Sequence, residues 1–302
     1  MKKVLILGAS GMLGSMIFNY LDGNTNCKIK GTLQNFNIGK FKKNNKKFII
    51  FDAEKNDIQQ DVFNQFKADY IINCIGVIKP YCKDNDPQGI YRAIKLNALF
   101  PHILNEYTTR NNSRIIQIAT DCVYDGTSGQ SNETVLHNAL DVYGKTKSLG
   151  EVHSNNFLNI RCSIIGPELN NKISLLEWFL GHQSGEQVNG FSHHYWNGVT
   201  TLQFAKLCDF IIGKGDIYFD SLLKKSFIYH FVPNNTVNKY ELLNIFNKVF
   251  NKKYKINEVN NVGNPIDRTL STIYSEFGDS LIPMEKAIAE LKDYMDKVDY
   301  YN

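Results

Sequence analysis

The 302-residue chain has no apolar stretch approaching the ~18 residues that a membrane-spanning helix needs, so no such span is expected. Its start, MKKVLILGAS, has the basic opening and short apolar run of a secretory leader. That run breaks almost at once into glycine-rich turn chemistry, too early for a leader's apolar core. A buried strand and a cytoplasmic protein are the expectation. The six cysteines (Cys27, Cys74, Cys82, Cys122, Cys162, Cys208) form no Cys-x-x-Cys pair, and no histidine stands at ligand spacing. A disulfide framework and a structural zinc site are therefore not expected, and no metal is assigned. Charge of one sign is also scarce: the formal net charge is +4, with one basic cluster, Lys40 to Lys47. A solvated loop accounts for that cluster better than a nucleic-acid surface does.

What is present is ordinary globular material, 43% apolar and 21% charged, enough for one large domain or two closely associated ones. Short, unalternated apolar runs predict buried strands at Val4–Leu7, Lys28–Leu33, Phe48–Phe51, Tyr70–Ile75, Arg114–Ala119 and Phe157–Arg161. Helical periodicity between them predicts helices at Met12–Leu21, Asp57–Phe66, Ile90–Arg110 and Val142–Ser154. Strand–helix alternation with fully apolar strands implies a parallel sheet covered on both faces, a doubly wound α/β fold. Further helices are expected near Ser174–Leu180, Leu202–Ile212, Lys239–Phe250 and Met284–Tyr294, among irregular segments rich in Asn and Gly. The reading is a dinucleotide-binding unit over residues 1–165 and a smaller mixed α/β substrate unit over 166–302, some of whose segments return to the first.

The first strand runs into Gly8-Ala9-Ser10-Gly11-Met12-Leu13-Gly14, and a helix follows at once. Gly8 permits a tight turn, Gly11 lets the backbone approach a pyrophosphate, and Gly14 allows close helix–strand packing. The helix start adds open N–H groups and the positive end of its dipole. That context, more than the glycines alone, points to a dinucleotide. The second strand ends Gly31-Thr32-Leu33-Gln34-Asn35, with no carboxylate to hold an adenosine 2′-hydroxyl, and lysines follow. Thr32 and Gln34 are read as cofactor-binding at the ribose, and NADP is favoured, with NAD as the alternative. Asp52 and Ala53, ending the third strand, fit beside the adenine edge; a turn or cap is the competing role for Asp52.

Tyr143 and Lys147 stand four residues apart, on one face of a helix. A phenol is a poor acid–base group at neutral pH, and an ammonium one turn away is expected to lower its pKa. Thr120, ending the Arg114–Ala119 strand, lies where ligands bind in such sheets and can hold the oxygen that Tyr143 protonates.

Three further stretches follow the glycine loop in order: Ala119-Thr120-Asp121-Cys122-Val123-Tyr124-Asp125-Gly126, then Tyr143-Gly-Lys-Thr-Lys147-Ser-Leu-Gly150-Glu151, then Arg161-Cys162-Ser163. Together with a late Asn264-Pro265-Ile-Asp267-Arg268-Thr-Leu270, they make the chain resemble extended short-chain dehydrogenases with a Rossmann domain. Within these it resembles the dTDP-4-dehydrorhamnose reductase group, over nearly the whole length. The resemblance implies a catalytic triad of Thr120, Tyr143 and Lys147. It also places Asn73, Cys74, Ile75 and Gly76 along the cofactor, and Asn97 behind the active site, where polar core packing is an equal reading. Val77, Asp121, Cys122 and Ile164 border the sugar. That group usually has Tyr and Trp where this chain has Cys122 and Ile164, which leaves room for a 2-acetamido group.

The implied reaction is reduction of C4 in a nucleotide-linked 4-keto-6-deoxy-hexose, dTDP- or UDP-linked, by a homodimer. An epimerase or dehydratase on the same fold is one alternative; another is a non-catalytic subunit like the regulatory partner of methionine adenosyltransferase. Further along, Trp178 is expected in the core, and Trp196 is either core or a stacking surface. His193 and His194 fit a surface loop. Arg268 is read as the diphosphate ligand, with a surface salt bridge as the competing role.

Overall fold

The computed structural model describes residues 1–35, 45–170, 172–260, 263–278 and 281–301. The chain lays down β1 (Lys3–Leu7), α1 (Met12–Asn24), β2 (Lys28–Leu33), β3 (Phe48–Ile50) and β4 (Tyr70–Asn73). It continues with α2 (Pro87–Ala93), α3 (Phe100–Asn111), β5 (Arg114–Thr120), α4 (Val142–Leu149), β6 (Phe157–Cys162) and β7 (Ile164–Ile165). Next come α5 (Leu175–Leu180), β8 (Gln187–Phe191), β9 (His194–Trp196), β10 (Val199–Thr200), α6 (Thr201–Lys214) and α7 (Asp216–Lys225). The last elements are β11 (Ile228–His230), β12 (Val237–Asn238), α8 (Lys239–Val249), β13 (Lys255–Val259), β14 (Ile266–Asp267) and α9 (Met284–Lys297).

Seven strands form one parallel sheet in the order β11-β6-β5-β4-β1-β2-β3. β1 explains the layering: Val4 and Ile6 enter the apolar cluster on one face, with α1 and α6. Leu5 and Leu7 enter the cluster on the other, with Phe100 and Leu104 of α3. Buried on both faces, such a strand cannot alternate apolar and polar residues. The strand order reverses between β1 and β4, and in such sheets ligands bind at that crevice.

Two sequence expectations are corrected in the helices. The segment expected as a helix over Asp57–Phe66 forms only a single wide turn at Gln59–Phe63. The helix expected to run from Val142 to Ser154 stops at Leu149. Gly150 follows, packed so closely that a Cβ there would lie 1.9 Å from the Asn97 carbonyl oxygen. The expected Ile90–Arg110 helix is in fact α2 and α3 joined by a π-type turn at Ile94–Leu99, which turns Asn97 inward.

Neither α7 nor β11 was expected; the register of β11 with β6 places Tyr229 level with Ile160 and extends the main sheet. Among the described residues three smaller sheets stand beside it, and β10 pairs with β7 in one of them. In the others, β12, β9 and β14 join with β9 in the middle, and β13 pairs with β8. Among the described residues no helix is long and apolar enough to cross a membrane.

Candidate active site

The glycine loop closes tightly on itself. Gly8 has φ +78°, a conformation costly for any residue with a Cβ. A Cβ on Gly14 would stand 2.2 Å from the Gly8 carbonyl oxygen, so α1 lies directly against the loop. No side chain caps α1 at Gly11, which leaves the N–H groups of Met12 and Leu13 to an anion. Thr32 does not face outward as expected of a ribose ligand. It is buried, and its hydroxyl accepts the Gly8 N–H at 2.9 Å, because β2 runs beside the loop and Gly8 N–H has no partner of its own strand. Gln34 hydrogen-bonds Asp52. Asp52 also accepts the Glu54 N–H at 3.0 Å and pairs with Lys55 at 3.3 Å, which is the turn role anticipated for it. Burial alone would raise its pKa, but these three partners outweigh burial and hold it below the ordinary carboxylate range. Of the basic cluster, Lys40, Lys42 and Lys43 lie outside the described residues, and Lys47 is paired with Asp22 at 2.6 Å.

Across the crevice, β4 ends in Asn73, whose amide donates to Gln117 at 2.8 Å and accepts the Ile75 N–H at 3.1 Å. Buried Asn97 accepts the Val77 N–H at 2.8 Å and donates to the Val77 carbonyl at 3.0 Å. It fixes the Cys74–Val77 backbone that borders the cradle, so polar core packing and a site role coincide in one residue.

Thr120, Tyr143 and Lys147 come together at the end of β5. α4 is held at its start by two carboxylates: Asp141 caps Gly144 at 2.8 Å and Asp84 accepts the Val142 N–H at 2.8 Å. Lys79 pairs with Asp141 at 2.7 Å. Gly144 lets this helix approach the loop after β5, where a Cβ would lie 2.4 Å from the Cys122 carbonyl oxygen. Tyr143 thereby reaches the Thr120 hydroxyl. Thr120 also donates to Asp121 Oδ1 at 3.1 Å and accepts the Cys122 N–H at 3.2 Å.

The expected lowering of the Tyr143 pKa by Lys147 is not what the structure holds. Burial dominates and pushes the phenol up, the Thr120 bond opposing only in part. Lys147 Nζ instead donates to the Ile118 carbonyl at 2.9 Å. Burial brings the lysine itself down to about 8, with Glu151 opposing. The pair is thus a neutral phenol and a weakened ammonium, a proton donor beside a group poised near neutrality.

Beyond β5, Asp121 is 4% exposed and its Oδ2 has no hydrogen-bond partner among the described residues. Burial raises its pKa, with Arg268 opposing. Burial likewise lifts the Cys122 thiol to about 12, so it is no nucleophile. Arg268 makes no direct carboxylate ion pair among the described residues, contrary to the salt-bridge alternative. It donates to the Tyr124 carbonyl at 3.2 Å, the Asp125 carbonyl at 3.3 Å and Cys122 Sγ at 3.5 Å. A cavity of about 40 Å³ lies between Asp121, Tyr124, Asp267 and Arg268, room for one or a few waters.

Ile164 sits in β7, partly buried on the main core. Trp196 lies in β9 with one edge on that core, while Asn197 beside it holds Leu270 through two bonds of 2.7 and 3.0 Å. Trp178 is not core: it is 43% exposed, since the short α5 buries Leu176, Glu177 and Phe179 instead. His194 is not in a loop either; it opens β9 and stacks on Phe191 at 4.8 Å. Lys239, at the first position of α8, was not foreseen. Its one signal is the Asn238-x-x-Glu241 capping box, which fixes a lysine where the helix dipole disfavours a cation.

Comparison with known proteins fits this geometry. The chain is 30% identical over 152 residues to a dTDP-4-dehydrorhamnose reductase of Aggregatibacter actinomycetemcomitans, covering 50% of this chain and 46% of the relative. It is 27% identical over 150 residues to methionine adenosyltransferase 2 subunit beta of Bos taurus, covering 50% and 42%. The matched region thus spans less than half the length of either relative. Among solved structures, the dTDP-4-dehydrorhamnose reductase of Bacillus anthracis, in complex with NADP, superposes with a TM-score of 0.68. It is 16% identical, over 97% of this chain and 99% of that one. The dTDP-glucose 4,6-dehydratase of the same species, in complex with NAD, gives a TM-score of 0.74 at 15% identity, over 100% and 98%. Residues 1–269 match the family described as the RmlD substrate binding domain, and the chain belongs to that family.

Proposed function

We propose that the protein reduces the C4 ketone of a nucleotide-linked 4-keto-6-deoxy-hexose. The observation that carries this reading is the meeting of Thr120, Tyr143 and Lys147 at the end of β5, across the crevice from an uncapped glycine-loop helix. The cradle fits a nicotinamide dinucleotide, because Gly8 and Gly14 clear space that side chains would fill and Met12 and Leu13 offer N–H groups. Residues 1–165 are assigned to the dinucleotide, joined by α6, α7 and β11, and the small sheets of the second half to the sugar nucleotide.

A nicotinamide dinucleotide held in this cradle would supply the hydride for C4. Tyr143, kept neutral by burial, holds the phenolic proton against the C4 oxygen and releases it as negative charge develops there. Thr120 passes its hydrogen bonds between Tyr143 and Asp121 and aligns that oxygen. Lys147, anchored on the Ile118 carbonyl, carries positive charge along the cofactor side of α4. Carbonyl, hydride and proton sum to the alcohol, with no other reagent. NADPH is the cofactor proposed, on the absence of a carboxylate from Thr32 to Asn35; the reductase and dehydratase structures bind NADP and NAD respectively.

A second reading, a non-catalytic partner of another enzyme, is favoured by the similarity to the methionine adenosyltransferase beta subunit. Oxidation of NADPH on adding 4-keto sugar nucleotides tests the two. Consumption that depends on the keto-sugar supports the reductase; tight NADPH binding with no consumption supports the partner.

A further inference from the structure

We propose that Lys239 binds the diphosphate of the substrate, from a cationic and aromatic face formed by Lys239, His194, Trp196 and Arg268. The inference rests on the sugar-nucleotide reading above and names a binding residue within it. The face follows from register. In the antiparallel pair β12–β9, Val237 is level with Trp196 and Asn238 with Tyr195; Lys239 follows at once as the first residue of α8, and its charge reaches His194. In the parallel pair β14–β9, Asp267 is level with Tyr195, and Arg268 follows it, its N–H bonded to the Tyr195 carbonyl at 3.1 Å. Arg268 thus comes level with Trp196. His194 and Trp196 are two residues apart and share a face, while Tyr195, 44% exposed, is on the other.

Two observations aim this face at the catalytic end of β5. Arg268 reaches Cys122 Sγ at 3.5 Å, and the charge of Lys239 is felt both by His194 and by Asp121. Asp121 is the buried carboxylate whose Oδ2 has no hydrogen-bond partner among the described residues. Lys239 has no hydrogen bond or ion pair among the described residues, although it is partly buried and stands at the positive end of the α8 dipole. Partial burial and the dipole both work against an ammonium there, and the Asp121 carboxylate offsets burial only in part. An anionic ligand would offset the rest.

The two cations differ in what they can still offer. Arg268 has committed three of its five side-chain N–H groups to two carbonyls and a thiol, which leaves it two. Lys239 keeps all three of its donors open among the described residues. Asp121, Asp125 and Asp267 crowd the Arg268 side with negative charge. Phosphate oxygens therefore belong on the Lys239 side of Trp196, and the open oxygen of Asp121 accepts a hydroxyl of the sugar.

The test is calorimetric titration of the whole protein, loaded with NADP⁺, with UDP, dTDP and the nucleosides uridine and thymidine. Lys239→Met should weaken UDP or dTDP by roughly 10- to 100-fold, the loss of one charge-assisted hydrogen-bonding group. Nucleoside and NADP⁺ affinity should be unchanged, Lys239→Arg should retain most of the diphosphate affinity, and Lys253→Met, beyond the far end of α8, should behave as the unsubstituted protein. A Lys239→Met protein that binds both diphosphates as tightly as the parent, or a parent that binds neither, overturns the proposal. If diphosphate affinity depends on Lys239 but no keto-sugar is reduced, the site stands and the reductase reading falls. If reduction proceeds with the same KM in Lys239→Met, the reductase reading stands and this one falls.

Discussion

Tyr143 shows what burial does that spacing alone cannot. Its position four residues before Lys147 was legible in the sequence, but the direction of its pKa was not, because the decisive influence is desolvation by neighbours distant in the chain. A phenol held neutral donates a proton well only into a developing alkoxide, so its removal should affect turnover more than binding. Tyr143→Phe is expected to lose roughly 10²–10⁴-fold in kcat with cofactor affinity little changed; near-parental turnover would remove Tyr143 from the mechanism. Ile164 makes a finer prediction. A UDP-linked 2-acetamido-4-keto-6-deoxy-hexose should be turned over better than the dTDP-linked sugar lacking the acetamido group, by roughly 10–200-fold in kcat/KM. Ile164→Trp should shift that ratio back, and an unchanged ratio would sink the pocket argument.

At the scale of elements, β1 and the glycine loop were legible because a fully apolar strand and glycine spacing are local signals. The β2 edge was legible only in part. Thr32 was read as facing the cofactor, whereas it bonds Gly8, since which face a strand-end hydroxyl takes depends on the neighbouring strand. With no carboxylate between Thr32 and Asn35, NADPH should bind at least as tightly as NADH. A clear preference for NADH in paired titrations would point to Asp52 as the ribose ligand.

β6 and the loops around it are tied by a buried ion pair. Arg161 bonds Glu151 through Nε and Nη2, both at 2.7 Å, and also reaches the Tyr124 hydroxyl at 2.7 Å and His230 at 3.2 Å. Removing one member strands a buried charge. Arg161→Met should therefore destabilise the fold by about 3–5 kcal/mol in urea unfolding, and a change within error would show the network to be dispensable.

For the whole molecule, the return of β11 to the main sheet carries His230 under the catalytic loops, 2% exposed. Burial, with Arg161 adding to it and Glu133 opposing, lowers its pKa from 6.5 to about 4. Between those values the unfolded chain takes up a proton that the folded chain refuses, so stability falls as pH drops through that window. The midpoint of urea unfolding should decline from pH 6.5 toward 4, and His230→Gln should flatten the decline. None of this was visible in the sequence, where residues 228–230 are a run too short to read as a strand and His230 has no neighbour at ligand spacing. The overall arrangement was visible, because the parallel sheet needs only buried strands in alternation with helices. The central claim is that this arrangement performs a reduction. It is tested most directly by following NADPH absorbance with the parent protein and a panel of dTDP- and UDP-linked 4-keto-6-deoxy-hexoses. One mole of NADPH consumed per mole of keto-sugar, abolished to the predicted degree in Tyr143→Phe, is the expected result; a protein that binds NADPH and the sugar nucleotide yet consumes neither would contradict it.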